Sequence, residues 1–316
     1  MKIALVTPAR PVAHSGNRNT AVRWAQLLRA LGHHVRVQTH WDGKPAEIMI
    51  ALHALRSHDS IAEFAAVYPR RPLVLMLTGT DLYHDIRENL RAKRSLRLAT
   101  RLVVLQEQGP AELAPGLRRK TRVIYQSARP VPCGAPLKSC FEVCISGHLR
   151  EVKDPFRLAA ALQYLPVQSR IRAAQIGGAM SATMTREAHR WMQREPHYRW
   201  LGELPHGAAL RRLARARLMV ISSHMEGGAN VVTEALAAGV PIIASRIPGN
   251  IGMLGRDYAG YYRVGDERAL ARLLARAETD TAFYRRLKHQ CAARRHLTRT
   301  AREMQALREL LRELHA

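Results

Sequence analysis

Two glutamates eight residues apart, Glu226 and Glu234, bracket the segment best suited to chemistry. It reads Ser222-Ser223-His224-Met225-Glu226-Gly227-Gly228-Ala229-Asn230-Val231-Val232-Thr233-Glu234-Ala235-Leu236-Ala237-Ala238-Gly239-Val240-Pro241. The pattern is a strand end, a glycine-containing loop and a helix start. A helix start leaves its first backbone N–H groups without intrahelical partners and carries the positive end of the helix dipole. It is therefore a ready seat for a phosphate. Gly227 and Gly228 allow close approach of the backbone to a ligand. Carboxylates accept hydrogen bonds, so one in the loop and one in the helix suit the vicinal hydroxyls of a ribose and a sugar. The plainer alternative is that Glu234 is a solvated helix residue and the glycines only turn the chain.

Three segments of the first half also carry chemistry: His14-Ser15-Gly16-Asn17-Arg18-Asn19-Thr20, His53-Ala54-Leu55-Arg56-Ser57 and Thr78-Gly79-Thr80-Asp81-Leu82. Together they supply Arg18, His53, Arg56, Ser57 and Thr80, donors and cations suited to a small, highly charged oxyanion. They offer little aromatic surface for a sugar or lipid. The alternative is that Asn17, Thr20 and Asp81 cap helices and that Arg18 and Arg56 are solvated.

Each of these segments follows a predicted strand. Lys2–Pro8, His34–Thr39, Glu47–Leu52, Leu73–Thr78, Leu102–Gln106 and Arg122–Gln126 read as strands. A loop over Ala9–Asn19 and an amphipathic helix over Thr20–Leu31 follow the first of them. Ser127–Lys138 holds three prolines and a glycine and reads as a linker. The alternation then restarts, with strands at Phe141–Ser146, Ile171–Ile176, Tyr198–Leu201, Leu218–Ser222 and Pro241–Ala244. Helical patterns fall near Pro155–Leu165, Met184–Arg194, Ala208–Arg215 and Val231–Ala238, and the tail from Asp266 to Ala316 is helical and basic. Strands separated by helices make parallel βαβ units. The expected fold is α/β: two Rossmann-like, doubly wound domains, residues 1–130 and 131–316, the second with a C-terminal helical tail. Ligands bind such sheets at the carboxyl ends of their strands, so the two domains are expected to face each other across a cleft.

The E-x7-E arrangement followed by E-A-x-A-x-G-x-P resembles the signature of family 4 type, retaining glycosyltransferases of the GT-B fold. The resemblance implies that Glu226 faces the donor sugar. It also implies that backbone amides at Gly227, Asn230 and Val231, with Gly228 and Ala229 beside them, hold the donor diphosphate. Glu234 then binds the ribose. Ile145-Ser146-Gly147-His148-Leu149-Arg150-Glu151-Val152-Lys153-Asp154-Pro155 resembles the family's G-R-L-x-x-x-K segment, which puts Lys153 on the diphosphate. His148 stands where the family has arginine and lacks the guanidinium fork; Arg150 is the nearby cation that can compensate. Ile176-Gly177-Gly178 and Leu201-Gly202-Glu203-Leu204 match the family's ligand loops, with Gly178 at the donor and Leu204 at the nucleobase. Gly16 joins the donor set from the first loop. Glu226, Lys153 and His148 are the implied catalytic residues, and no metal or other cofactor is implied.

In this family the first domain sets the acceptor. Its three segments are similar to those of the selenosugar synthases of selenoneine biosynthesis, which join selenophosphate to a nucleotide-activated hexose. That likeness implies a UDP-hexose donor, either UDP-N-acetylglucosamine or UDP-glucose, and a selenophosphate acceptor held by Asn17, Arg18, His53, Arg56, Ser57 and Thr80. A sugar or lipid-linked acceptor is the competing reading within the family.

The composition agrees with a globular enzyme. Of 316 residues 47% are hydrophobic and 24% charged, which leaves no room for a disordered or fibrous reading. No run approaches the roughly 20 apolar residues of a membrane helix, and the start reads as a strand rather than a signal peptide; a cytoplasmic enzyme is expected. The net charge of +25 comes from 50 basic residues, only seven of them lysine. Nucleic-acid or anion binding without catalysis is the reading from another class that this charge raises. The arginine bias of a GC-rich bacterial gene accounts for it more simply, and no nucleic-acid partner is expected. Cys133, Cys140, Cys144 and Cys291 form no C-x-x-C pair, so free thiols in a reducing compartment are expected rather than zinc. No G-x-G-x-x-G follows the first strand, which argues against a dehydrogenase.

Overall fold

A computed structural model describes residues 1–9, 16–129 and 134–314. His14, Ser15, Cys133 and the expected boundary at residues 130 and 131 lie outside the described residues. The chain divides into two compact units. The first comprises Met1–Gln126, Glu226–Ala229 and Thr300–Ala316; the second comprises Ser127–Met225 and Asn230–Arg299.

The first unit holds β1 (Lys2–Val6), β2 (His34–Gln38), β3 (Ile48–Leu52), β4 (Leu73–Met76), β5 (Arg101–Val104) and β6 (Thr121–Val123). All pair in parallel, in the order β2-β1-β3-β4-β5-β6. Successive strand side chains point to opposite faces, so a sheet covered on both sides needs apolar residues at every position. The sequence Ile-Met-Ile-Ala-Leu of β3 meets that need and is buried throughout. Ala4, Val6, Met49 and Ala51 join Ile61, Phe64 and Leu96 on one face. Ile3, Leu5, Ile48 and Ile50 join Trp24, Leu28, Leu307 and Leu311 on the other.

The second unit holds β7 (Phe141–Ser146), β8 (Ile171–Ile176), β9 (Tyr198–Trp200), β10 (Leu218–Ile221), β11 (Ile242–Ser245) and β12 (Tyr261–Tyr262). Its parallel order is β12-β11-β10-β7-β8-β9. The fold is thus α/β with two six-stranded, Rossmann-like sheets, the GT-B type of architecture. Cys144 lies inside β7, where burial pushes its thiol up to about 12, a structural cysteine.

Three expectations need correction. The first helix runs Gly16–Ala30, so Gly16, Asn17 and Arg18 sit in its opening turns and not in a loop. Burial of Trp24, Leu27 and Leu28 anchors that helix, and tertiary packing overrides the weak propensity of glycine and asparagine at its start. The tail is not one body. Its helices Glu267–Thr279 and Thr281–Arg294 belong to the second unit, whereas Thr300–Glu313 packs Leu307, Leu310 and Leu311 onto the first unit's sheet. Glu226–Ala229, expected in the second domain, also belongs to the first unit. An apolar helical stripe states that a helix is covered, not by what.

Strand order reverses between β1 and β3 in the first unit and between β7 and β10 in the second. Loops leaving the carboxyl ends of strands at such reversals are where open α/β sheets bind ligands.

Candidate active site

In the second unit the loops after β7 and β10 flank the reversal. The chain leaves β7 through Gly147, at φ 153°, and the loop is pinned where Leu149 N–H donates to Gly178 O at 3.0 Å. Gly177, at φ 141°, passes so close that a Cβ there would stand 2.1 Å from Gly147 O. Only glycine fits, because the obstacle is backbone. Beside Gly178 lie the His148 ring and the Glu203 carboxylate. Lys153 closes a short turn, Glu151–Lys153, and Asp154 follows in the left-handed region at φ 43°. Arg157 holds the Asp154 carboxylate at 2.7 Å. The hydroxyl of Ser222, just past β10, donates to Lys153 O at 3.0 Å and to Asp154 O at 2.8 Å, and His224 N–H donates to Val152 O at 2.9 Å. The strand end before the glycine loop is therefore tied to the turn that carries Lys153.

The helix Asn230–Ala238 begins with Asn230 and Val231 half-buried, and Glu234 lies one turn further on. His206, which opens the helix His206–Arg215, meets Glu234 Oε1 at 3.0 Å. The hydrogen bond to Glu234 raises the His206 pKa, against the smaller opposing effect of burial. Leu204 is half-buried in the loop before that helix, and Arg150 is exposed.

In the first unit the loops after β3 and β4 share one buried carboxylate. Asp81 is fully buried and accepts from the N–H groups of Ala54 at 2.9 Å, Thr78 at 2.8 Å and Gly79 at 2.9 Å. A carboxylate fixed by three amides locks both loops together. His53 is buried at φ 75°, a conformation that costs a non-glycine residue about 1–3 kcal/mol and clusters at functional sites. Its Nδ1 accepts from Arg56 N–H at 3.4 Å, so Nε2 carries the proton of the neutral ring. Nε2 faces the Thr80 hydroxyl at 3.1 Å and Asp85 Oδ2 at 3.8 Å. The Arg56 side chain is exposed. Ser57 is turned inward: its buried hydroxyl donates to Leu52 O at 2.6 Å, so its proton is spent on the chain.

Glu226–Ala229 packs against the loops after β4 and β5. A Cβ on Gly227 would lie 2.4 Å from Thr78 O, and one on Gly228 would lie 2.5 Å from Leu105 Cβ. Both glycines are required by the chain itself, whereas ligand approach was the expected reason for them. Glu226 is buried. Tyr83 stands near enough that Glu226, after burial and Glu112, helps push the phenol far above its ordinary range, so it keeps its proton.

Of the residues expected at the site, His148, Arg150, Lys153, Gly178, Leu204, Asn230, Val231 and Glu234 belong to the second unit. His53, Arg56, Ser57, Thr80, Glu226, Gly227, Gly228 and Ala229 belong to the first, with Gly16, Asn17 and Arg18 on that unit's opening helix. His206, Glu203, Asp85 and Tyr83 were not singled out from sequence. A histidine or tyrosine on an ordinary helix carries no local signal, and only the fold brings it to a carboxylate. Among the described residues no helix is long and apolar enough to cross a membrane, and no group of three or more His, Cys, Asp or Glu could hold a metal ion.

Residues 138–294 match the family described as glycosyl transferases group 1. A Xenopus tropicalis protein, glycosyltransferase 1 domain-containing protein 1, is 25% identical over 287 residues, covering 82% of this chain and 83% of the relative. The solved structure of HepE from Anabaena in complex with UDP and glucose superposes with a TM-score of 0.75 at 17% identity, over 100% of this chain and 99% of that one. Sucrose-phosphate synthase from Thermosynechococcus elongatus gives a TM-score of 0.79 at 18% identity, over 99% and 98%. With a GT-B fold and a group 1 glycosyltransferase domain in residues 138–294, the chain is a glycosyltransferase.

Proposed function

We propose that this glycosyltransferase takes a hexose from a UDP-hexose and delivers it to selenophosphate. One observation carries the donor half. The Asn230 helix start, Glu234 and the Lys153 turn all belong to elements at the strand reversal of the second unit, inside the matched residues. The solved structure of HepE with UDP and glucose supports uridine diphosphate as the nucleotide. In this reading Lys153, Arg150 and His148 meet the diphosphate beside Gly178, with amides from Gly227 to Val231. Glu234 takes the ribose hydroxyls, Leu204 touches the base, Glu226 faces the hexose, and Gly16 lies at the donor.

The acceptor half is supported by the polar and cationic loops after β3 and β4 and by the first helix turns: His53, Thr80 and the exposed Arg56, with Asn17 and Arg18; Ser57, whose hydroxyl is given to Leu52 O, drops out of the set. Selenophosphate is a nucleophile that needs no general base. A carbon–selenium bond forms at the anomeric carbon as the carbon–oxygen bond to UDP breaks, and UDP leaves with the electron pair. Two polyanions at about 4 Å and an effective dielectric near 20 repel by about 4 kcal/mol per charge pair, which Arg18, Arg56, Lys153 and the helix end must offset. Charge develops on the departing diphosphate, so stabilising it supplies much of the rate.

The test is to incubate the purified chain with a panel of nucleotide sugars, with and without selenophosphate, and to weigh the products. A selenium-containing hexose made with release of UDP is expected. Transfer to a sugar or lipid-linked acceptor instead would remove the acceptor half and keep the donor half. Arg56→Ala removes a charge-assisted hydrogen bond to the anion and is expected to raise the KM for selenophosphate at least about tenfold. Glu234→Ala is expected to weaken donor binding by a similar factor. If both variants raised only the donor KM, the acceptor assignment would fall.

A further inference from the structure

A buried polar chain inside the first unit ends on the loop that carries Glu226. It starts at Glu303 on the last helix, a carboxylate with no exposed side-chain surface. Trp24 Nε1 donates to Glu303 Oε1 at 2.8 Å, and Arg23 Nε donates to Oε2 at 3.1 Å. The same Arg23 guanidinium donates through a second nitrogen to Gln126 Oε1, which also accepts from the Thr20 hydroxyl at 2.6 Å. Gln126 is 2% exposed, and its Nε2 donates to Gly228 O at 2.7 Å. The amide has one workable orientation, because two donors face its oxygen and one carbonyl faces its nitrogen. A fully buried carboxylate held by a half-buried guanidinium and an indole N–H is costly to displace, so the chain is stiff.

We propose that Gln126 is a positioning residue for the loop Glu226–Ala229, held in place by Arg23 and Glu303, so that the last helix sets where Glu226 stands. This rests on the reading that Glu226 faces the donor sugar. Residues distant in sequence converge on the Gln126 amide, which reaches the Gly228 carbonyl, and the rest of the loop is confined by sterics: Gly227 against the Thr78 backbone and Gly228 against Leu105. The hydrogen bond from Gln126 adds a directional hold to that steric confinement.

Gln126→Glu isolates this hydrogen bond. The new carboxylate keeps the bonds from Thr20 and Arg23, which also keep it ionised, but turns an acceptor toward Gly228 O. Turnover, read well below the melting transition, is expected to fall about tenfold, with a modest loss of melting temperature from the unpaired Gly228 carbonyl. Amide exchange in the peptide spanning 226–230 is expected to quicken. Glu303→Gln, which weakens the grip on Arg23, should quicken the same peptide less. In a double variant with Glu226→Gln, Gln126→Glu should add no further loss, because it acts through Glu226. Unchanged turnover and exchange in Gln126→Glu, or losses that multiply in the double variant, would overturn the proposal. If Glu226→Gln itself left turnover intact, the role of Glu226 would fall with the functional reading. The exchange measurement would then decide the hold on the loop: quickened exchange sustains it and unchanged exchange ends it.

Discussion

Glu234, proposed to bind the ribose, also serves the folded chain. It holds His206 at 3.0 Å and raises that imidazole's pKa. A group whose folded pKa is raised stabilises the fold fully below its unfolded value, near 6.5, and loses that contribution as pH rises through the folded value. Wild-type stability to urea should therefore exceed that of Glu234→Gln more at about pH 6 than at about pH 8, and the His206 ring resonance should titrate at lower pH in the variant. An equal difference at both pH values would place the contribution elsewhere. Asp81 carries more structural weight. Its replacement by alanine strands three backbone donors and should cost about 3 kcal/mol or more in urea unfolding. The loops bearing His53 and Thr80 should loosen with it.

The glycines act on whole loops. Gly177→Ala forces a Cβ into Gly147 O at a backbone angle that side chains avoid, and Gly227→Ala drives one into Thr78 O. Each is expected to destabilise by about 1–3 kcal/mol. Gly177→Ala should displace the turn after β7, where His148 lies, and weaken UDP binding measured by calorimetry; Gly227→Ala should reduce turnover more than UDP affinity. Retained stability in both would mean that the loops shift at no cost. Elsewhere the elements were readable because their signals are local. The buried run of β3 and the Pro155–Leu165 pattern, realised as a helix over Arg157–Leu162, come from residues that are neighbours in sequence. The pair Tyr261–Tyr262 was not readable, since two residues make no period.

At the scale of the whole chain, the last helix closes one face of the first unit's sheet. Leu307 is fully buried in the first unit's core, and Leu307→Ala should cost about 2–5 kcal/mol by leaving a cavity. Deleting residues 300–316 should strip the same face, remove Glu303 from its partners Arg23 and Trp24, and leave a chain prone to aggregate, as light scattering would register. Nucleic acid added to the chain would meet a +25 charge and, among the described residues, no sequence-reading element, so any association is expected to be nonspecific. That association should weaken steeply with salt while sugar transfer persists.

By itself the sequence determined the alternation of strands and helices, hence two parallel sheets. It also determined the Glu226–Glu234 block with its helix start, because periodicity, glycine punctuation and motif spacing are properties of adjacent residues. The tertiary structure alone decided that Glu226–Ala229 and the last helix belong with the first sheet, that Ser57 faces inward, and that His206, Asp81 and Gln126 each meet a partner far along the chain. Those pairings depend on which faces the packed elements bring together, and a short-range pattern carries no record of that choice.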